Sequence, residues 1–233
     1  MGMLPQREIY QVEPMPEQIT DEQRQALLQL DTPTIGHHLE AGFMDPGITG
    51  RMPGRRIAGT AVTVRITLPD SVMAHYALKF IRRGDILVVD RGQDQRTACW
   101  GAATAYAAAA AGLTGLIVDG ATTDIAEAED AGLPIWCRGL SPVTTKYRGL
   151  GGEMNTAVSC GGVAVNPGDA ILADDNGIAV IPRTILDDTI SASQRWYESE
   201  QVFLKQLRED PNLCYPDVTG ASEIVESRLL GRG

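Results

Sequence analysis

Apolar positions along the chain switch between helical and strand spacing. Ile19 to Leu30 sets Ile19, Ala26, Leu27 and Leu30 at helical intervals behind Thr20, a side chain that can cap free N–H groups, so a helix is predicted there. A second short helix is expected over Thr34 to Ala41, and the Gly/Pro-rich basic run Pro46 to Arg56 reads as a connection. Ile57 to Leu68 has a period of two, with Val62, Val64 and Ile66 on one side and Thr63, Arg65 and Thr67 on the other. That predicts a strand with one wet face. Ser71 to Ile81 returns to a helix and stops at Arg82-Arg83-Gly84-Asp85. Ile86 to Asp90 (ILVVD) and Gly115 to Gly120 (GLIVDG) are apolar runs of strand length, the pattern of strands buried on both faces.

Between those runs, Ala98 to Ala111 reads as an Ala-rich helix closed by Gly112, able to pack close to a sheet. A short helix is expected from Asp124 to Ala131, and strands over Ile135 to Cys137, Val163 to Val165, Ala170 to Ala173 and Ile178 to Ile181. One long helix follows from Ile185 to Leu207 with a Trp196/Phe203 stripe, then a break at Pro211 to Pro216 and a last helix from Ser222 to Leu230. Residues 1–17 are polar with three prolines and read as an arm. The order is strands and helices alternating, then short strands, then helices. It predicts an α/β fold with a β core and outer helices, divided as an arm (1–17), a core domain (18–183) and a helical extension (184–233).

The 233 residues are 43% hydrophobic, enough for a sizeable core, and the formal net charge is −10. That balance argues against nucleic acid and against an anionic membrane surface as partners, since both need a basic face. A small anionic substrate remains compatible, because one local cation reverses the field in a pocket. No apolar run reaches the ~18 residues of a membrane helix. Residues 1–14 lack the basic-then-apolar pattern of an export signal. The expected location is the cytoplasm. The four cysteines form no Cys-x-x-Cys pair and read as reduced, buried thiols.

The chemistry gathers between Asp90 and Asp124. Both buried strands end in acidic residues, and the intervening helix opens at Trp100-Gly101. At such a start the N–H groups of Gly101, Ala102, Ala103 and Thr104 lack intrahelical partners and suit a carboxylate; a plain tight turn is the other reading of Gly101. Asp124 suits Mg²⁺, which is commonly held by one carboxylate and several waters. It also resembles a helix cap, paired with Glu127 or replaced in that role by Thr123. Asp169, Asp174 and Asp175 stand in turn sequences and read as turn formers. Arg91, Arg96, Lys146 and Arg148 are the nearby cations that could orient a carboxylate. His37, His38 and His75 read as non-catalytic, since nothing in the sequence supplies them an orienting partner.

The ordered set GTAVTV (59–64), GDILVVD (84–90), WG with its Ala-rich helix (100–111), GLIVDG with Asp124, GLPIW (132–136) and VNPGD to ADDNGIAVIP (165–182) resembles the RraA-like family over about residues 30–183. That family includes the regulator of ribonuclease activity A and class II 4-hydroxy-4-methyl-2-oxoglutarate and 4-carboxy-4-hydroxy-2-oxoadipate aldolases. The resemblance implies a β/β/α swivelling-type domain, assembled as homotrimers or homohexamers with sites between subunits. It implies Mg²⁺ or Mn²⁺ as cofactor and cleavage of a 4-hydroxy-2-oxo acid to pyruvate. The family signature is an acidic residue, twenty intervening residues, then Arg-Asp. Here the frame holds Ala102, Thr123 and Asp124, so only the metal-ligand position is kept. Losing the charged partner of a buried carboxylate costs about 3–5 kcal/mol, on the order of a thousandfold in kcat/KM.

On this reading Asp124 is the metal ligand, Gly101, Ala102, Ala103, Thr104 and Thr123 touch substrate, and Thr123, Arg96 and Glu200 are the candidate catalytic residues. Arg96 or Lys146 replaces the lost Arg. The resemblance also implies a Glu from a neighbouring subunit, for which Glu200 or Glu198 are candidates. Two functions follow: a divergent metal-dependent lyase on a small 2-oxo or hydroxy acid, or a non-catalytic regulatory protein that has lost that chemistry.

Overall fold

A computed structural model describes residues 8–92 and 94–229 of the chain. The first strand, β1 (Tyr10–Val12), precedes α1 (Asp21–Leu28) and α2 (Thr32–Gly36). Thr20 caps α1, accepting from the Gln23 N–H at 3.1 Å while the Gln23 side chain accepts from the Thr20 N–H at 2.9 Å. α2 starts earlier than its apolar pattern suggests, because Asp31 accepts from the Thr34 N–H and Pro33 stands in its first turn. Next come β2 (Thr49–Gly50), β3 (Ile57–Ile66), α3 (Val72–Ala77), β4 (Asp85–Asp90) and α4 (Ala102–Ala111). The chain continues through β5 (Gly115–Thr122), α5 (Ile125–Asp130), β6 (Ile135–Leu140), β7 (Gly152–Met154) and the hairpin β8 (Val158–Cys160) and β9 (Val163–Val165). It closes with β10 (Ala170–Ala173), β11 (Ile178–Ile181), α6 (Leu186–Glu209), α7 (Tyr215–Val218) and α8 (Ala221–Leu229).

β3, β4, β5 and β6 form a parallel centre, and β3 is its organiser. One edge of β3 pairs with β4. Its other edge is shared: Ile57 to Thr60 pair antiparallel with β10, and Val64 to Ile66 pair antiparallel with β7. Helices α3, α4 and α5 cover one face of the sheet over a core that includes Val62, Val64, Leu87, Val89, Ala105 and Ala108. A second core, with Ala61, Val88, Ile117 and Trp136, lies on the other face toward β8, β9 and β10. A third, with Leu27, Ile35, Leu172 and Ile190, fills the space under α1, α2 and α6. Ala105 and Ala108 are fully buried, so the alanine run does let α4 lie close to the sheet.

β3 corrects part of the expectation of a wet face: Arg65 is partly exposed and Thr67, just past the strand, is exposed, but Thr63 is buried, as is Thr60 on the other side. Thr60 and Thr63 are fully buried. Each is satisfied: Thr60 Oγ1 accepts from the Ile19 N–H, and Thr63 Oγ1 donates to the Thr156 carbonyl. At Thr63 the polar position reflects an assigned partner rather than water. Tyr10 to Val12, expected in an arm, adds an edge strand parallel to β7. Residues 98–101, expected as helix, run extended, with Ala98 bridging to both Ala121 and Thr144. The short strands β2, β7 and β8 have no sequence pattern long enough to announce them. The cysteines are unpaired, and Cys214 is exposed, against the expectation of four buried thiols. The last helix starts at Ala221, and the predicted end at Leu230 lies outside the described residues. No described helix is long and apolar enough to cross a membrane.

Candidate active site

The start of α4, the turn after β5 and the segment Thr144–Tyr147 enclose a cleft of about 330 Å³. Asp124 is among the residues that line it. Its backbone is left-handed (φ 54°), and its side chain makes no cap to α5, which overturns the capping reading of Asp124 with Glu127. The left-handed turn sends the carboxylate back across the chain to α4. There Oδ2 accepts from the Ala102 N–H at 2.9 Å, and Oδ1 accepts from the Thr123 hydroxyl at 3.0 Å. Thr123 therefore steadies Asp124 and caps nothing. A carboxylate at a helix N-terminus is held by the free N–H groups and by the helix dipole.

Gly101 is more than a turn former. A Cβ there would stand 2.6 Å from Asp124 Oδ2 and 3.1 Å from Thr123 Cγ2. Thr104 Oγ1 accepts from the Gly101 N–H at 2.9 Å, which fixes the first turn of α4. The N–H groups of Ala103 and Thr104 have no acceptor among the described residues. The start of α4 thus carries one anchored carboxylate and two open donors.

Of the four cations singled out in the sequence, Lys146 alone lines the cleft. Its ammonium has no carboxylate within salt-bridge distance among the described residues, and it donates to Thr144 Oγ1 at 3.3 Å. Arg96 is exposed and lies outside the cleft lining. Arg91 is fully buried and clips the loop before α4, donating to Asp94 at 2.7 Å and to the Thr97 carbonyl at 2.8 Å. Glu200 borders a separate groove with His37, Trp196 and Tyr215, so this chain alone does not bring it to Asp124.

Two cleft residues gave little sequence signal. His75 on α3 is half-buried, and its Nδ1 lies 2.9 Å from the Tyr147 hydroxyl, with the rings edge-to-face. Burial pushes the His75 imidazole below its ordinary value, and the Asp70 carboxylate pushes it partly back up. Asp70 is itself pushed up by burial, but backbone N–H groups of Leu150, Arg148, Val72 and Ser71 outweigh this and hold it low. Cys99 also borders the cleft. Burial raises its thiol to about 11, which rules it out as a thiolate nucleophile near neutrality. A period-two or helical pattern search passes over His75, because its partner lies 72 residues away in an irregular segment.

A divalent ion can be tested against these groups. Among the described residues no three His, Cys, Asp or Glu side chains cluster as a metal site. A zinc-type cage is therefore absent there. Asp124 is exposed to the cleft, and each of its oxygens has one protein hydrogen bond, which leaves lone pairs free. That donor set fits Mg²⁺ or Mn²⁺ held by one carboxylate, waters and substrate oxygens.

The model of the RraA-like family, Aldolase/RraA, matches residues 20–180. The chain belongs to the RraA-like family. A relative from Halalkalibacterium halodurans, provisionally named 4-hydroxy-4-methyl-2-oxoglutarate aldolase, is 35% identical over 128 residues, which are 55% of this chain and 60% of that protein. The match thus spans less than two thirds of that relative's length. Among solved structures, Streptomyces coelicolor RraAS2, described as an unusual member of the RNase ES inhibitor RraA protein family, superposes with a TM-score of 0.71. It is 25% identical, with 82% of this chain and 98% of that one covered. The RNA-processing inhibitor RraA from Thermus thermophilis gives a TM-score of 0.59 at 28% identity, over 65% of this chain and 91% of that one. The α/β architecture expected from the sequence is thus the RraA fold. The family holds proteins named both as aldolases and as regulators, so membership alone does not choose between them.

Proposed function

We propose that this RraA-like protein is a divalent-metal-dependent carbon–carbon lyase acting on a small 2-oxo or hydroxy acid. The observation that carries the reading is the Asp124 carboxylate, turned by a left-handed backbone onto the start of α4 and left open to the cleft. Asp124 would hold Mg²⁺ or Mn²⁺, and the ion would supply Lewis-acid polarisation of the 2-oxo group. The open N–H groups of Ala103 and Thr104 would bind a substrate oxygen, and Lys146 would face the substrate carboxylate in place of the missing Arg at position 123. Gly101 and Ala102 supply the backbone of that site. The resemblance further suggests a ring of three or six copies, in which Glu200 or Glu198 could reach a neighbour's cleft; within one chain neither Arg96 nor Glu200 contributes.

The competing reading is a regulatory protein without catalysis. It is favoured by Ala102 and Thr123, which stand where the family signature has an acid and an Arg. One experiment separates the two. Pyruvate release is measured from oxaloacetate and from 4-hydroxy-4-methyl-2-oxoglutarate with Mg²⁺, with Mn²⁺ and with chelator, for wild type beside the Ala102→Asp/Thr123→Arg double variant. Metal-dependent release by wild type supports the lyase. Release by the double variant alone, or by neither, favours the regulator.

A further inference from the structure

Resting on the lyase reading, we propose that His75 is the proton carrier of this site and that Tyr147 sets its tautomer. Both residues border the cleft that holds Asp124 and the start of α4. The Tyr147 oxygen lies 2.9 Å from His75 Nδ1, and Nε2 has no partner among the described residues. If Nδ1–H donates to Tyr147, Nε2 carries the lone pair and is free to act as a base. Imidazole held below its ordinary value stays neutral at pH 7, the form a base requires. The groups facing it are Asp70 before α3 and Tyr147 and Lys146 from the 144–147 segment.

The step balances within the substrate and this one side chain. Nε2 takes the proton from the 4-hydroxyl of a 4-hydroxy-2-oxo acid. The C4–O bond becomes a carbonyl as the C3–C4 bond breaks, and that electron pair forms the enolate over C3, C2 and the 2-oxo oxygen. The second oxo acid leaves, and the imidazolium returns the same proton to C3, giving pyruvate. Oxaloacetate decarboxylation differs in one respect. There the C3–C4 bond breaks with loss of CO₂, its electron pair forms the same enolate without any proton being abstracted first, and C3 takes its proton from water, so His75 is not required.

This difference supplies the test. In His75→Gln, cleavage of 4-hydroxy-4-methyl-2-oxoglutarate should fall about 100-fold in kcat, while oxaloacetate decarboxylation stays within about threefold of wild type. Tyr147→Phe should lower only the cleavage reaction, by about tenfold, and should shift the acid limb of its pH profile to lower pH, because the imidazolium loses an acceptor. His75→Asn serves as the second variant, with thermal melting checked for each. Equal loss of both reactions would make His75 a structural or binding residue and overturn the proposal. Unchanged cleavage, or an acid limb that does not move in Tyr147→Phe, would overturn it too. Asp124→Asn separates the two levels of inference, since it should remove both reactions. A wild type inert toward both substrates overturns the lyase reading and this proposal with it.

Discussion

Asp90 ends β4 and Asp119 lies within the second half of β5, both beneath the β8–β9 hairpin, while Asp124 lies just past the end of β5 beside the start of α4. All three are carboxylates at the exit edge of one parallel sheet, where α/β proteins tend to place their chemistry. Their surroundings differ completely. Asp90 accepts from Arg65 at 3.1 Å and from the Gly92 N–H at 2.7 Å. Asp119 accepts from Arg138 and from the Gly161 N–H. Arg65 also reaches Glu153, and Arg138 reaches Asp45. Each of these carboxylates faces a guanidinium and is consumed in fastening the hairpin. Asp124 faces no cation within salt-bridge reach among the described residues, and its two hydrogen bonds orient it without using all its lone pairs. A strand-end carboxylate becomes a candidate for chemistry when the fold positions it but leaves it unneutralised.

The largest test of that contrast is Asp124→Ala. Removing the ligand should abolish metal-dependent pyruvate release, a fall on the order of a thousandfold or more. The loss of one cap on α4 should cost only about 1 kcal/mol of stability. Activity that survives, with Mg²⁺ still required, would break the contrast by moving the metal elsewhere.

Gly101→Ala should come next. Its Cβ would crowd the Asp124 carboxylate from 2.6 Å and force that group to shift. Small misplacements of catalytic groups cost about 100-fold, so a fall of that order in kcat/KM is expected with the fold retained. A fully active Gly101→Ala would show that the position of the carboxylate against α4 is unimportant.

The saturated side of the comparison predicts the reverse pattern. Asp119→Asn keeps the shape but removes the charge facing Arg138, whose side chain is only 20% exposed. Hydrogen bonds to charged groups contribute about 1.5–3 kcal/mol, so chemical unfolding should register a loss of roughly 2 kcal/mol. Specific activity of the folded protein should be unchanged. A selective loss of activity would mean that Asp119 belongs to the site after all.

How much of this was legible beforehand follows from the range of each interaction. The central strands ILVVD and GLIVDG, the body of the Ala-rich helix and its closing Gly112 are set by local pattern and appear where the sequence predicts, although the helix begins at Ala102 and not at Ala98. The segment from Asp90 to Asp124 also leads to the sheet edge where the cleft lies. Sequence pattern could not say which carboxylate would be neutralised, because Arg138 and Gly161 come from other parts of the chain. The same limit hid the capping geometry. Asp124 with Glu127 has the spacing of a cap, but the left-handed backbone at Asp124 and the nearby Ala102 N–H redirect it to a different helix. The wet face assigned to β3 is only partly wet for a related reason: Thr63 and Arg65 find partners in Thr156, Asp90 and Glu153, far along the sequence or on the next strand, and Thr63 is buried.

The smallest effect concerns the wall of the cleft, and it sharpens the comparison by adding a third kind of carboxylate. Asp70 is buried, yet it has no cation within salt-bridge reach among the described residues; backbone donors hold it. Its oxygens accept from Leu150 N–H at 2.7 Å, Val72 N–H at 3.1 Å and Arg148 N–H at 3.2 Å, which straps the segment bearing Lys146 and Tyr147 to the body of the domain. The carboxyl is held below its ordinary value in the folded chain. Its contribution to stability is therefore fully present above the unfolded value near pH 4, and is lost as pH falls below about 4 through the lower folded-state value. Asp70→Asn should remove that acid-sensitive part while costing about 1 kcal/mol at neutral pH. The sequel at the cleft decides whether the strap matters to function. A looser 144–150 segment should raise KM for a carboxylate substrate by a few-fold, through Lys146, and leave the chemical step near Asp124 unaltered. A fall in kcat with KM unchanged would instead place Asp70 with the catalytic groups, and the division between fastening and reacting carboxylates would have to be redrawn around it.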